Sequence, residues 1–323
     1  MTRLPLYLTE ADVARLVTIK DAIATTEAAF AAWRDPGTAN LPRARAPVPP
    51  GFLNLMGATY GARGVLGHKA YFGNATHFSL YSIAEARLVA VIESDLLGQL
   101  RTGAASGIAT RALARPGAKI LGCIGTGKQA RTQIAAVCAV RPIDQVRVFS
   151  RTAEKREAFA RQMRNELGIG VVAAASAEAC VRGADVVVII TKSAVPVCRA
   201  DLIAPGAHVN AAGANAADRR EVDADTVLRA DVLVTDHRAQ AQIEAAEFID
   251  LAKAGRLDWA NVHELGDVVA GKAPGRTSPD QLTLFKSLGI ALEDVAFGEL
   301  IYRRAVEAGA GRELERAAGG WVP

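Results

Sequence analysis

Cysteine and histidine are scarce in this chain of 323 residues, and each shortage closes off a class of function. The four cysteines (Cys123, Cys138, Cys180, Cys198) stand far apart with no Cys-x-x-Cys pair. They therefore read as small packed thiols of a reducing cytoplasm rather than as a disulfide framework or a metal site. The five histidines form no His-x-x-x-His pattern, so a zinc centre has no support and no metal is expected. No stretch approaches the ~20 consecutive apolar residues of a membrane-spanning helix. The first residues, MTRLPLYLTEADVARL, reach Glu10 and Asp12 without the apolar core of an export leader. Lys plus Arg exceeds Asp plus Glu by only 38 to 34, and the basic residues are scattered, which argues against nucleic acid as a partner.

What is present is ordinary globular material, 50% apolar and 22% charged, enough for about two domains at ~150 residues each. The spacing of Val13, Leu16, Ile19, Ile23 and Ala24 predicts an amphipathic helix from Glu10 to Trp33, broken by Asp35-Pro36-Gly37. Residues 40–60 are Pro-rich and read as extended. Strands are expected over Val65–Phe72, Phe78–Tyr81 and Arg87–Glu93, then a helix dense in Ala and Gly after Asp95 that must pack very close to something. From Lys119 short apolar strands (KILGCI, Val146–Phe149, Val186–Ile190, His208–Gly213, Val232–Asp236) alternate with helical segments. That rhythm predicts an α/β fold with a parallel sheet covered on both faces. The segment from Ile290 reads as one amphipathic helix.

The run Ile124-Gly125-Thr126-Gly127-Lys128-Gln129-Ala130 comes straight off an apolar strand and straight into a helix. Gly125 permits a tight turn, Gly127 lets backbone approach a pyrophosphate, and Ala130 lets helix and sheet close up. In this setting the motif predicts dinucleotide binding on the helix N-terminus, with Thr126 and Gln129 in the same turn. The next strand ends in Ser150-Arg151-Thr152, without the carboxylate that would accept from an NAD ribose. A guanidinium and two hydroxyls suit the extra phosphate of NADP, with NAD the alternative. Thr191, after VVVII, is placed by the fold where the chain passes the cofactor ribose. Three cations occupy awkward positions: Arg43 in LPRARAP, Lys69 inside VLGHKAYF, and Arg101 between LLGQL and TGAAS. A buried charge must reach water, a carboxylate or a ligand.

The segments LPRARAP, GHKAYF, LRTGAASGIATRAL, IGTGKQA, VFSRT, NAAGANAADRREVD, ELGDVVAGKAPGR and FKSLGIALEDVA, in that order, resemble the ornithine cyclodeaminase/mu-crystallin family over nearly the whole chain. The resemblance implies a homodimer whose Rossmann domain (117–288) is inserted into an α+β substrate and dimerisation domain, formed by 1–116 and completed by a helix in 289–323. It implies that Arg43, Lys69 and Arg101 hold a substrate carboxylate, with a possible proton-transfer role for Lys69, and that Thr102 beside them joins the cofactor contacts. Where cyclodeaminases carry an Asp that handles the substrate amine, this chain has Asn215, which can hydrogen-bond but cannot act as an anionic base. The leading expectation is thus an NADPH-dependent reductase of a cyclic ketimine or imino acid, running in reverse as an amino-acid dehydrogenase. Redox-neutral ornithine cyclodeamination and a non-catalytic NADPH-dependent binder are the competing ones. His77, Glu264, Asp267 and Lys286 read first as structural.

Overall fold

The computed structural model describes residues 4–315, and the chain falls into two compact units. One unit comprises the chain up to Arg101 and again from Ile290; the other runs from Thr102 to Gly289. The first boundary therefore lies inside a helix, ahead of the Pro116-Gly117 break.

In the first unit β1 (Leu6–Leu8) leads to α1 (Glu10–Leu16) and α2 (Ile19–Ala31). The single helix expected over Glu10–Trp33 is in fact two, because Thr18 caps a new start. Its hydroxyl accepts from Asp21 N–H while the Asp21 carboxylate accepts from Thr18 N–H, as Thr9 and Asp12 do one helix earlier. The Pro-rich run is two paired strands, β2 (Ala39–Val48) and β3 (Gly51–Tyr60), and β4 (Val65–Phe72), β5 (Ala75–Ser82) and β6 (Arg87–Glu93) continue the meander. Prolines are tolerated in β2 because it lies at the sheet edge, where missing N–H donors go unused. Its register against β3 shifts between Leu41 and Ala44, the irregularity that accommodates Pro42 and turns Arg43 to a buried position. Then α3 (Asp95–Leu113) carries the chain into the second unit.

The second unit runs β7 (Ile120–Ile124), α4 (Lys128–Val140), β8 (Gln145–Phe149), α5 (Ala153–Leu167), β9 (Gly170–Ala173), α6 (Ala177–Val181), β10 (Val186–Ile189) and β11 (His208–Ala211). It continues through α7 (Ala224–Arg229), β12 (Val232–Thr235), α8 (Arg238–Glu244), α9 (Ala246–Lys253), β13 (Val262–Glu264), α10 (Leu265–Val269) and β14 (Thr283–Lys286). Its eight strands form one sheet in the order β13-β12-β14-β11-β10-β7-β8-β9, every pair parallel. Burial on both faces explains the unbroken apolar strands: in β10, Val187 and Ile189 enter one core cluster while Val186 and Val188 enter the other. The order reverses at β7, so β7 and β10 flank the switch point where such sheets bind ligands at their carboxyl ends.

The chain then returns to the first unit as α11 (Ala291–Ala308) and the short β15 (Arg312–Glu313). The seven-stranded sheet there has the order β15-β1-β6-β5-β4-β3-β2. α11 packs on β3, β4 and β5, whose register puts Met56, Lys69 and Phe78 side by side on the buried face. Among the described residues no helix is long and apolar enough to cross a membrane, and no group of His, Cys, Asp and Glu is arranged to hold a metal.

Candidate functional site

The first unit brings two of the three awkward cations onto one carboxylate. Lys69, Arg101 and Arg43 are each only 6% exposed. Lys69 Nζ donates to Asp294 Oδ1 at 3.3 Å and to the Ser94 carbonyl at 3.2 Å. Arg101 Nε donates to the same Asp294 Oδ1 at 3.1 Å, and its Nη1 donates to Glu293 Oε2 at 2.9 Å. Burial pushes the Lys69 ammonium below its usual range, and the charges of Arg101 and Arg43 push the same way against the pull of Asp294. Burial also works against Arg101, but Asp294 and Glu293 outweigh it and hold the guanidinium above its ordinary range.

Glu293 and Asp294 escaped the sequence reading. They lie in the first turn of α11, where acids suit the helix dipole and look like surface caps. The available signal was that two adjacent acids inside the apolar run IALEDVAF must be buried with cations, as the full burial of both confirms.

The second unit builds the glycine turn. Gly125 has φ +118°, a conformation open to glycine, and its N–H donates to the Phe149 carbonyl at 2.8 Å. A Cβ there would collide with the Ile190 carbonyl, whereas one added at Gly127 meets open space. Gly127 caps α4 with no side-chain hydrogen bond, and the Ala130 N–H donates to its carbonyl at 3.0 Å. Ala130 is fully buried, and α3 comes close enough to α4 that a Cβ on Gly103 would lie 2.6 Å from the Thr132 carbonyl. The Thr102 carbonyl accepts from Gln133 Nε2 at 3.1 Å. Gln129 Oε1, in the first turn of α4, is buried without a hydrogen-bond partner. An open backbone cradle beside an unsatisfied acceptor fits a bound dinucleotide.

At the end of β8, Thr126 Oγ1 donates to Ser150 Oγ at 2.9 Å, and Arg151 and Thr152 are exposed. Arg156, absent from the sequence reading, donates to the Ser150 carbonyl at 3.1 Å and lies 5.5 Å from the Phe149 ring centroid. Thr191, just past β10, is half-buried and bonded to Glu221; Asn215 is half-buried in the turn after β11. Glu221 also escaped the sequence reading, hidden in the charged run DRREVD. Lys286, read as structural, forms a buried ion pair with Glu247 at 3.2 Å.

Comparison with known proteins gives a consistent result. The family model described as "Ornithine cyclodeaminase/mu-crystallin family" matches residues 4–309. A Delta(1)-pyrroline-2-carboxylate reductase of Bacillus cereus is 35% identical over 228 residues, 70% of either chain. The solved structure of the Thermococcus litoralis Delta(1)-pyrroline-2-carboxylate reductase in complex with NADH and L-proline superposes with a TM-score of 0.92 at 32% identity, covering 96% of this chain and all of that one. A probable ornithine cyclodeaminase from Bordetella pertussis has a TM-score of 0.87 at 30% identity, covering 95% and 99%.

Proposed function

Because the chain belongs to the ornithine cyclodeaminase/mu-crystallin family, we propose that it is an oxidoreductase that reduces the carbon–nitrogen double bond of a small imino or cyclic ketimine acid. A nicotinamide dinucleotide, when bound, supplies the hydride that the imine carbon receives. Arg43, Lys69 and Arg101 hold the substrate carboxylate and so fix the neighbouring carbon. Lys69, its ammonium made more acidic by burial, gives a proton to the substrate nitrogen as the C=N bond becomes CH–NH. Asn215 hydrogen-bonds that nitrogen, and being an amide it cannot take a proton from it. Thr102, Gly125, Thr126, Gly127, Gln129, Ala130 and Thr191 line the dinucleotide, and Ser150, Arg151 and Thr152 accept the 2′-phosphate of NADP. The observation that carries this reading is the convergence of Lys69 and Arg101, remote in sequence, on one buried carboxylate oxygen. Arg43 adds a third buried positive charge whose field reaches Lys69, and a cluster of that sign suits the substrate's carboxylate.

The test is direct. Protein, NADPH and Delta(1)-pyrroline-2-carboxylate or its six-membered homologue are mixed, and loss of NADPH absorbance is followed. No loss with any cyclic or acyclic imino acid overturns the reading. Release of ammonia and proline from ornithine, without net change of the nicotinamide, would establish the cyclodeaminase alternative that the Bordetella pertussis neighbour keeps open. Arg151→Ala should bring NADPH and NADH turnover together if the 2′-phosphate assignment holds.

The same reading includes a homodimer. The register places Leu41, Leu53, Leu55 and Leu66 on the sheet face opposite α11, and all four are exposed, Leu41 at 64%. A contiguous apolar face of this kind is the mark of a covered surface, and a second copy is the occupant that the two long strands β2 and β3 would suit.

A further inference from the structure

One buried acid in the second unit is not used by the reaction as proposed, yet it holds more donors than any ordinary structural contact needs. Glu221 has no exposed surface. Its Oε1 accepts from Thr191 N–H at 2.8 Å and from the Thr191 hydroxyl at 3.0 Å. Its Oε2 accepts from the N–H groups of Gly213 at 2.6 Å and Ala214 at 2.9 Å. One oxygen thus holds the turn after β10, and the other holds the turn after β11 that leads to Asn215. The two turns also touch, since a Cβ on Gly213 would collide with the Thr191 backbone and stand 2.6 Å from Glu221 Oε1.

The acid is itself held from behind. Its N–H donates to Glu247 Oε1 at 2.9 Å, and the same oxygen receives Lys286 Nζ at 3.2 Å from the end of β14. The carboxyl ends of three adjacent strands, β14, β11 and β10, are therefore tied through two buried carboxylates and one ammonium. Burial pushes the Glu221 carboxyl up, while Lys286 and the three backbone donors draw it back down. Burying a charge is costly, and here it is buried at the strand ends where this fold binds its ligand.

We infer that Glu221 is a positioning residue for the nicotinamide half of the dinucleotide, fixing the Thr191 turn and the Gly213–Asn215 turn as one rigid edge; the inference rests on the dinucleotide reading above. The adenylate half is held elsewhere, by the Gly125–Gly127 turn and the end of β8. The two halves can therefore be separated experimentally.

Glu221→Gln keeps the shape but sets an amide NH2 against donors on one side. Glu221→Asp keeps the charge but is one methylene too short to bridge both turns. Full-length proteins are titrated with NADPH and with 2′,5′-ADP, and in parallel with NADH and 5′-AMP, which lack nothing but the nicotinamide mononucleotide half. The expected result is an affinity for the reduced dinucleotide lowered about tenfold in either variant, with the adenylate fragments bound as by the parent. An equal loss for dinucleotide and fragment would make Glu221 a contact of the fold alone and overturn the inference, as would unchanged dinucleotide affinity. A parent chain that binds neither dinucleotide nor fragment would overturn the reading of the site itself, which no variant result can do.

Discussion

In the first unit, Lys69 and Arg101 are buried charges held by other buried charges, Glu293 and Asp294. In the second, the turn from Gly125 to Gly127 is built from main-chain atoms and from side chains that are missing. The two constructions fail differently. A buried ion pair breaks even at best against an apolar replacement, yet removing one partner strands the other and costs about 3–5 kcal/mol. A backbone cradle carries no such debt; its donors are fixed by the helix, and what it cannot tolerate is an added atom. One site is sensitive to lost charge, the other to gained volume.

The largest expected effect tests the first half of this contrast. Arg101→Lys keeps a cation but gives up the planar fork that bonds Glu293 and Asp294 together. Imino-acid turnover (kcat/KM) should fall about 100-fold or more, with NADPH affinity by fluorescence titration within about twofold of the parent. Equal loss of cofactor affinity would mean that Arg101 serves the dinucleotide rather than the carboxylate. Next in size, Gly125→Ala meets both the Ile190 carbonyl and a left-handed φ, so it should lower dinucleotide affinity about tenfold or more and melt earlier as well. Gly127→Ala sharpens the point. Nothing in the protein occupies the space its methyl would take, so the melting temperature should hold while dinucleotide affinity still drops several-fold, about one kcal/mol. A Gly127→Ala protein that binds NADPH like its parent would remove that turn from the cofactor site.

The same contrast explains what was legible in the sequence. The glycine turn is local: strand, Gly125, Gly127, Ala130 and helix follow within a dozen residues, so chain order already contains the geometry. The alternation of short apolar strands and helices from Lys119 onward is equally local, and it gave the parallel sheet. The cation cluster is not local. Lys69, Arg101 and Asp294 meet only because β4, α3 and α11 pack together, and no spacing rule connects position 69 with position 294. Each cation could be flagged as out of place, but its counter-ion could not be named. Glu221 was hidden for the related reason that a run such as DRREVD looks solvated until the turn after β11 wraps around one of its members. The division of Glu10–Trp33 into two helices was readable in principle, from Thr18 and Asp21 at capping-box spacing, but the continuous apolar stripe concealed it.

A smaller effect asks whether the second unit follows its own rule when it does bury a titratable group. His208 opens β11 with no exposed surface, and its ring meets Thr283 Oγ1 at 2.9 Å and Asn210 Oδ1 at 3.2 Å. Burial, reinforced by the charge of Arg276, lowers its pKa to about 3 from an ordinary 6.5. The folded chain therefore holds the ring neutral where the unfolded chain binds a proton. Between those values stability must fall as pH falls, by about 1.4 kcal/mol per pH unit for one proton. Carboxylates with lowered pKa, such as Asp12, Asp185 and Glu93, lose their contribution only as pH drops below the usual carboxylate range. Glu221, pushed up by burial, acts in the opposite sense above that range, so the histidine's share between pH ~6 and ~5 is read as the difference between parent and variant. Urea unfolding of His208→Gln across that window should show a shallower acid slope than the parent, whatever the variant costs at neutral pH. Identical slopes would mean that His208 is charged in the folded state, a second paired buried cation in that unit beside Lys286.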